Sequence, residues 1–566
     1  MAEGLPARAP AVVSAPAPAR LNVADHLAAM ARRAPGRDAV LVARTRGGAT
    51  RLAGVTYGEL ERRVAAIAAG LAGRGLRAGE RACVLVRPGV DLVAIVFALF
   101  RAGAVPVLID PGMGRANLLA CVERTRPRAF LGLPAAQALR ALHRRAFRTV
   151  ALDVAVGARV GWGGTTLARL AAEGSGGAPP AQTSAEDEAA VLFTSGSTGP
   201  PKGVVYTHGT FEAQIEALKA LYGFEPGEID AACFPLFALF APALGMTCAF
   251  PELDARRPAS CDPRKVVECI RAARATTTFG SPAIWRRVVP WCIERGIVLS
   301  GLRRVLAAGA PVPVDLVEGL RRVLPGGAEV YTPYGATEAL PVASISGAEV
   351  LGAARARTEE GAGTCVGRPA PGVEVRLIRI SDEPLASWAD ALEVAPGEMG
   401  EVCVSGAVVT HSYDGQPEHT AAAKIRQGER VWHRMGDVGW RDADGRLWFC
   451  GRKSHRLETA GGTVLPVPVE NVMNTHPAVR RSALVGVGPR GAQRAVLWVE
   501  PEAERRPRGA AGRAALRAEL FEHARARPAA ALVSEILFAD AFPVDVRHNA
   551  KIGREELKRR AQARLS

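Results

Sequence analysis

Along the first 450 residues, short apolar runs alternate with longer stretches whose apolar positions recur every three to four residues. "RACVLV" (81–86) predicts a strand, "DLVAIVFALFRAG" (91–103) a helix and "AVPVLID" (104–110) a strand. The succession returns at "TTTFG" (276–280), followed by the helical "PAIWRRVVPWCIERG". It returns again at "RRVLAAG" (303–309), followed by "PVDLVEGLRRVL". Repeated strand–helix–strand units imply an α/β protein with parallel sheets covered by helices. Ligands of such folds gather at the carboxyl ends of strands.

After "GRLWFCGRK" (445–453) the pattern changes. "RRSALVGVG" (480–488), "RAVLWVEP" (494–501) and "EILFADAFP" (535–543) read as strands, and "GRAALRAELFEHARAR" (512–527) as a helix. The expected organisation is an Ala/Pro-rich flexible arm over 1–24, a large unit over 25–452 and a small, mobile α+β unit over 453–566. The arm has no apolar core of the kind a signal peptide carries.

One stretch breaks the alternation. "AACFPLFALFAPALGMTCAFP" (231–251) is uncharged and long enough to cross a bilayer. Pro235 and Pro242 interrupt it, so it reads as a buried wall of an apolar pocket, with no transmembrane segment. Phe237, Ala238, Leu239 and Phe240 would give that wall a surface suited to a long or branched alkyl chain.

Composition narrows the function classes. Lys+Arg exceed Asp+Glu by 72 − 56 = 16. The basic residues are spread along the chain without long runs or aromatic interleaving, which argues against nucleic acid. Seven of the 72 are Lys and the rest Arg, so each Lys is informative. The ten Cys form no C-x-x-C pair, against a zinc site or a disulfide framework and in keeping with a cytoplasmic protein.

The chemistry begins at "TSGSTGPPKG", directly after the strand "EAAVLF" (188–193). Hydroxyls and free backbone N–H groups in a glycine-rich turn make an anion nest, and the Lys adds a point charge suited to phosphate. The spacing does not fit G-x-x-x-x-G-K-[ST]. Thr194, Ser195, Gly196, Ser197, Thr198 and Gly199, with Lys202, resemble the phosphate-binding signature of the acyl-adenylate-forming superfamily. That superfamily holds acyl-CoA synthetases, peptide-synthetase adenylation domains and luciferases.

Further motifs follow in that superfamily's order. "AAGAP" (307–311), with Gly309, Ala310 and Pro311, resembles the loop along the adenine. "PYGATEA" (333–339) resembles the segment in which Tyr334 and Gly335 meet adenine, Thr337 meets the α-phosphate and Glu338 holds Mg²⁺. By the same resemblance Asp437 of "MGDVGW" grips the ribose, Arg452 of "GRK" makes a second ribose or phosphate contact, and Lys551 of "VRHNAKIGREEL" reaches into the site. The resemblance implies ATP and Mg²⁺ as cofactors. Adenylation brings a carboxylate and a phosphate together, so charge neutralisation and alignment dominate. Lys551, Lys202 and Thr337 are the expected catalytic residues.

Four strings, "FPLFALFAPALGMT", "TFGSPAIW", "TPYGATEALP" and "GRKSHRLETAGGTVLPVPVENV", resemble the β-lactone-forming branch of bacterial long-chain olefin biosynthesis. That resemblance implies a 2-alkyl-3-hydroxyalkanoic acid as substrate, closed to a β-lactone by its own hydroxyl without CoA. It also implies partners among the other enzymes of the olefin pathway, in an assembly. The superfamily's hinge pattern is altered: His455 stands where Asp is usual, Glu458 where Lys is usual, and Pro468 where Glu is common, while Glu470 is kept. A base for the hydroxyl does not follow from the sequence; His208 of "YTHGT", carried among the catalytic candidates, and His433 of "VWHRMGD" qualify by residue type. The alternatives are a long-chain fatty acyl-CoA synthetase and a non-catalytic nucleotide-binding or membrane-surface protein.

Overall fold

The structure, a computed structural model, describes residues 20–565 except 48, 159–163, 195–200, 235–236, 255, 390–391 and 545–551. The alternation at the start of the chain builds a seven-stranded sheet. Its order is Thr165–Thr166, Leu152–Ala155, Ala129–Gly132, Arg81–Leu85, Val105–Ile109, Glu188–Thr194, Lys202–Thr207. All neighbours are parallel except the last pair, a hairpin whose tip is the expected phosphate loop. Helix Val90–Arg101 is buried on every side from Leu92 to Phe100. Its unbroken apolar sequence reflects that position, since a helix apolar all round has no solvent face.

A second sheet of 14 strands has two halves. Asp38–Arg46, Thr247–Phe250, Ile229–Ala232, Thr277–Gly280, Arg304–Ala307 and Glu329–Ala336 run parallel. Beyond them Ala339–Ser346, Thr364–Pro369, Leu447–Arg452, Arg430–Arg441, Gly400–Ser405 and Glu374–Ile378 pair antiparallel. The expectation of parallel sheets therefore holds for half of this sheet and is corrected for the other. Between Glu329–Ala336 and Ala339–Ser346 lie Thr337 and Glu338 alone. So short a link permits a hairpin, whereas a parallel crossover needs a dozen residues or more.

The uncharged 231–251 stretch is broken into strand, a turn at Phe237–Leu239, a short helix Phe240–Ala243 and strand Thr247–Phe250. No helix among the described residues is long and apolar enough to cross a membrane. All ten Cys are buried free thiols.

A separate three-stranded sheet follows, with Arg494–Pro501 between the antiparallel Val479–Val487 and the parallel Val533–Phe538. Helices Pro466–Met473, Gly509–Arg525 and Arg554–Leu565 pack on it. At the other end of the chain residues 1–19 lie outside the described residues. The chain is fixed earlier than its composition implies: Leu21 N–H donates to Thr183 O at 2.8 Å, and Asn22 Nδ2 to Phe100 O at 2.8 Å.

Candidate active site

One cavity of about 3020 Å³ runs between the carboxyl ends of the two sheets and reaches the C-terminal unit. Its polar wall is built from the antiparallel strands. Tyr334 sits near the end of Glu329–Ala336, and its hydroxyl donates to Asp437 Oδ2 at 2.6 Å. Gly335 makes the tight strand end possible, because a Cβ there would lie 2.8 Å from Ala339 O. Asp437 lies in Arg430–Arg441 opposite Arg452 of the neighbouring strand, at 3.0 Å from Oδ1 to Nη1. Nη1 directs its hydrogen bond to Met435 O at 3.0 Å, so the buried Oδ1 accepts none. Burial raises the Asp437 carboxyl above its ordinary value, and Arg452 works against that shift. Burial and the adjoining Asp437 push the Tyr334 phenol up. These residues lie within strands that meet at a hairpin.

Thr337 and Glu338 form the hairpin turn. Tyr206 Oη donates to Thr337 O at 2.5 Å. Thr410 N–H and Oγ1 both donate to Glu338 O, at 2.9 and 3.0 Å, and Tyr413 Oη donates to Glu338 Oε1 at 2.6 Å. Lys202, the first residue after the expected phosphate loop to enter a strand, holds Nζ 5.1 Å from the centre of the Tyr413 ring. No group of three or more His, Cys, Asp or Glu able to hold a metal exists among the described residues. Gly309, Ala310 and Pro311 follow strand Arg304–Ala307 and line the same cavity.

Several participants were not read from the sequence. Thr410 and Tyr413 belong to the chain between strands, where no motif marks them. Lys424 Nζ bonds Thr410 O and is buried; burial lowers its pKa to about 7, with Glu338 opposing. As one of seven Lys it carried a signal that could have found it. Glu401, fully buried, binds Arg434 through both oxygens at 3.1 and 2.7 Å and Lys453 at 3.0 Å. This cluster fixes the strand that carries Asp437 to the segment that follows Arg452.

The apolar wall comes from the 231–251 stretch. Phe237, Leu239 and Phe240 line the cavity, and Phe237 stacks on Phe279 with centroids 4.4 Å apart. Ala238 does not line it: at 0% exposure it points into the core. The expectation that Ala238 forms the pocket surface is corrected, because successive residues of this 3-10 turn point in different directions and Ala238 takes the one that faces the core.

His208 is corrected too. It is 1% exposed behind the cavity wall, edge-on to Phe100. Its Nδ1 accepts from Val23 N–H at 3.3 Å, and burial lowers its pKa to about 4. His433 does line the cavity.

Ser195 to Gly199 and Lys551 lie outside the described residues, as does the side chain of Thr194. The flank of Lys551 is placed: Ile552 and Arg554 line the cavity, and Arg554 Nη2 binds Glu470 Oε2 at 2.7 Å. At the altered hinge, His455 lines the cavity, and burial lowers its pKa to about 4. Glu458 accepts from Arg456 Nε at 2.8 Å, and Arg456 Nη2 reaches Asp382 at 2.6 Å, tying this segment to the large sheet's end.

Comparison with known proteins places this arrangement. The sequence profile described as "AMP-binding enzyme" matches residues 27–414. The olefin beta-lactone synthetase of Stenotrophomonas maltophilia (strain K279a) is 48% identical over 554 residues, covering 96% of this chain and 98% of its own. The protein of the same name from Xanthomonas campestris pv. campestris is 47% identical over 548 residues, with 95% and 96% covered. The crystal structure of the anthranilate CoA ligase AuaEII in complex with anthranoyl-AMP superposes with a TM-score of 0.78 at 21% identity, covering 97% of this chain and 99% of that one.

Proposed function

The chain belongs to the AMP-binding enzyme family, and from that premise we propose the reaction it performs. It activates the carboxylate of a long-chain 2-alkyl-3-hydroxyalkanoic acid with ATP, releasing pyrophosphate. The acid's own 3-hydroxyl then displaces AMP and closes a β-lactone. The observation that carries this reading is the full-length likeness, at 47–48% identity, to two olefin beta-lactone synthetases.

The residues fit a nucleotide. The buried Asp437 Oδ1 accepts no hydrogen bond and suits a ribose hydroxyl donor. Tyr334 presents its ring to the adenine beside Gly309–Pro311. Thr337, Lys202, Arg452 and the loop Thr194–Gly199 are assigned to the phosphates. Glu338, oriented by Tyr413, is the carboxylate assigned to Mg²⁺, which takes few protein ligands and otherwise waters and phosphate oxygens. Mg²⁺, when bound, supplies charge neutralisation at the phosphates. Lys551 is assigned to the carboxylate–phosphate encounter from the segment that Arg554 and Glu470 anchor.

Phe237, Leu239 and Phe240 would take alkyl chain by shape alone. Ring closure needs no second substrate, because a tethered hydroxyl reaches effective concentrations of roughly 10⁵ M or more when well oriented. A decarboxylating enzyme must then consume the lactone to give an alkene, and we place the protein in the cytoplasm within an assembly of such enzymes.

The test is product analysis with ATP, Mg²⁺ and a synthetic 2-alkyl-3-hydroxy acid, with and without CoA. The expected product weighs one water less than the acid, and CoA does not raise the rate. Accumulation of an acyl-CoA with turnover that depends on CoA would make the protein an acyl-CoA synthetase instead.

A further inference from the structure

Closing the lactone requires a group that takes the hydroxyl proton, and four carboxylates of the polar wall and hinge are each held by a neighbouring side chain. Asp437 is bound by Tyr334, Glu338 by Tyr413, Glu401 by Arg434 and Lys453, and Glu470 by Arg554. The two histidines of the sequence reading differ in which nitrogen keeps a lone pair, and the backbone decides it. At His208 a backbone N–H points at Nδ1, so Nδ1 must accept. A neutral ring then carries its proton on Nε2 and has no lone pair left. At His433 the partner of Nδ1 is Ala423 O at 3.2 Å. A carbonyl only accepts, so Nδ1 carries the proton and Nε2 is bare.

Position agrees with chemistry. His433 and Asp437 belong to one strand, and the irregularity in its pairing with Gly400–Ser405 falls between Arg434 and Val438. Both line the cavity. The ring is buried at 3% exposure and cannot swing while Ala423 holds it.

We propose that His433 is the catalytic base of ring closure, its Nε2 accepting the 3-hydroxyl proton; this rests on the lactone reading above. In the step the O–H bond breaks and its proton goes to Nε2. The oxygen's electron pair forms the bond to the acyl carbon. The bond from that carbon to the AMP oxygen breaks, and AMP leaves with the pair. The imidazolium then returns its proton to water.

The surroundings keep this base neutral before the step. Burial holds the imidazole well below its ordinary pKa, and the cations facing it do the same: Lys424 on the neighbouring strand, directly opposite His433, with Lys202 and Arg452. The base is therefore unprotonated when acyl-AMP forms, and the imidazolium is short-lived.

The experiment uses the full-length enzyme with ATP, Mg²⁺ and the 2-alkyl-3-hydroxy acid, following pyrophosphate and lactone separately in rapid-quench single turnovers. His433→Asn keeps an N–H for Ala423 O and removes the base. Pyrophosphate release should persist while lactone formation slows by about 100-fold or more, so that acyl-AMP accumulates. If His433→Asn does not fold, His433→Gln serves for the same measurement. Lactone formation at the wild-type rate in a folded variant would overturn the proposal. So would an equal loss of both half-reactions, which would mark His433 as structural. So would uncoupling by His455→Asn in place of His433→Asn. If the wild-type enzyme itself makes no lactone and turns over only with CoA, the lactone reading fails, an outcome distinct from a lactone-forming wild type beside an unimpaired His433→Asn.

Discussion

The two walls of the cavity recognise in opposite ways. On the polar wall, side chains are engaged in the free protein: Tyr334 and Arg452 with Asp437, Tyr413 and Thr410 with Glu338, Arg434 and Lys453 with Glu401. Each atom has one place to be, so a substitution of one atom should be felt. On the apolar wall, Phe237, Leu239 and Phe240 offer packing without directed bonds, so volume should matter and identity should not. A nucleotide of fixed structure meets the first wall, and a chain of variable length meets the second.

Glu338→Gln is the hardest test of the polar wall. It keeps the Tyr413 contact and removes one charge. Turnover at limiting Mg²⁺ should fall by about 100-fold, with a raised Mg²⁺ requirement, since Mg²⁺ prefers a carboxylate oxygen. An unchanged Mg²⁺ titration would remove Glu338 from the metal. Asp437→Asn should come next. Tyr334 can still donate to the amide oxygen, but Arg452 loses the carboxylate that raises its own pKa. Loss of a charge-assisted bond predicts an increase of about tenfold in the KM for ATP with a smaller change in kcat. A matching fall in kcat alone would place Asp437 in the chemistry.

The apolar wall is tested by two neighbours. Leu239→Trp should leave the fold intact and disfavour long chains over short ones by about tenfold in kcat/KM, because indole occupies space the chain needs. Ala238→Trp should instead destabilise the protein by about 1–3 kcal/mol or more, whatever the substrate, because Ala238 is packed in the core. If Ala238→Trp folds normally and changes chain-length preference, the two side chains face the other way.

The same contrast explains what the sequence made legible. Strand–helix alternation identified the parallel strands, such as Arg81–Leu85 and Thr277–Gly280, because each is a short apolar run followed by a helix. The antiparallel half was not read as such, since Arg430–Arg441 pairs with Gly400–Ser405 and Leu447–Arg452 through contacts no local period announces. Motif residues such as Tyr334 and Asp437 were legible as types, yet their mutual hydrogen bond was not. His208 and His433 show the limit most sharply: as residue types they are equal, and a backbone N–H facing one and a carbonyl facing the other make them opposite.

The last effect concerns stability rather than turnover and lies in the strand that leads into the apolar wall. Asp230, in Ile229–Ala232, is buried at 2% exposure with neither oxygen in a well-formed hydrogen bond. Burial raises its pKa to about 7, eased only by the Phe279 backbone. A carboxyl raised in the folded state binds its proton there and releases it in the unfolded chain, whose pKa is about 3.9. Between those two values the folded protein holds more protons, so stability falls as pH rises from about 4 to about 7 and levels off above. The full excursion is roughly 4 kcal/mol, at about 1.4 kcal/mol for each pH unit. Asp230→Asn cannot ionise and should lose this slope, whatever its effect on absolute stability. Urea denaturation midpoints of both proteins at pH 5, 6 and 7 measure it. The wild type should weaken relative to Asp230→Asn at each step. Parallel midpoints would mean that Asp230 ionises freely and that the wall's base is wetter than its packing indicates.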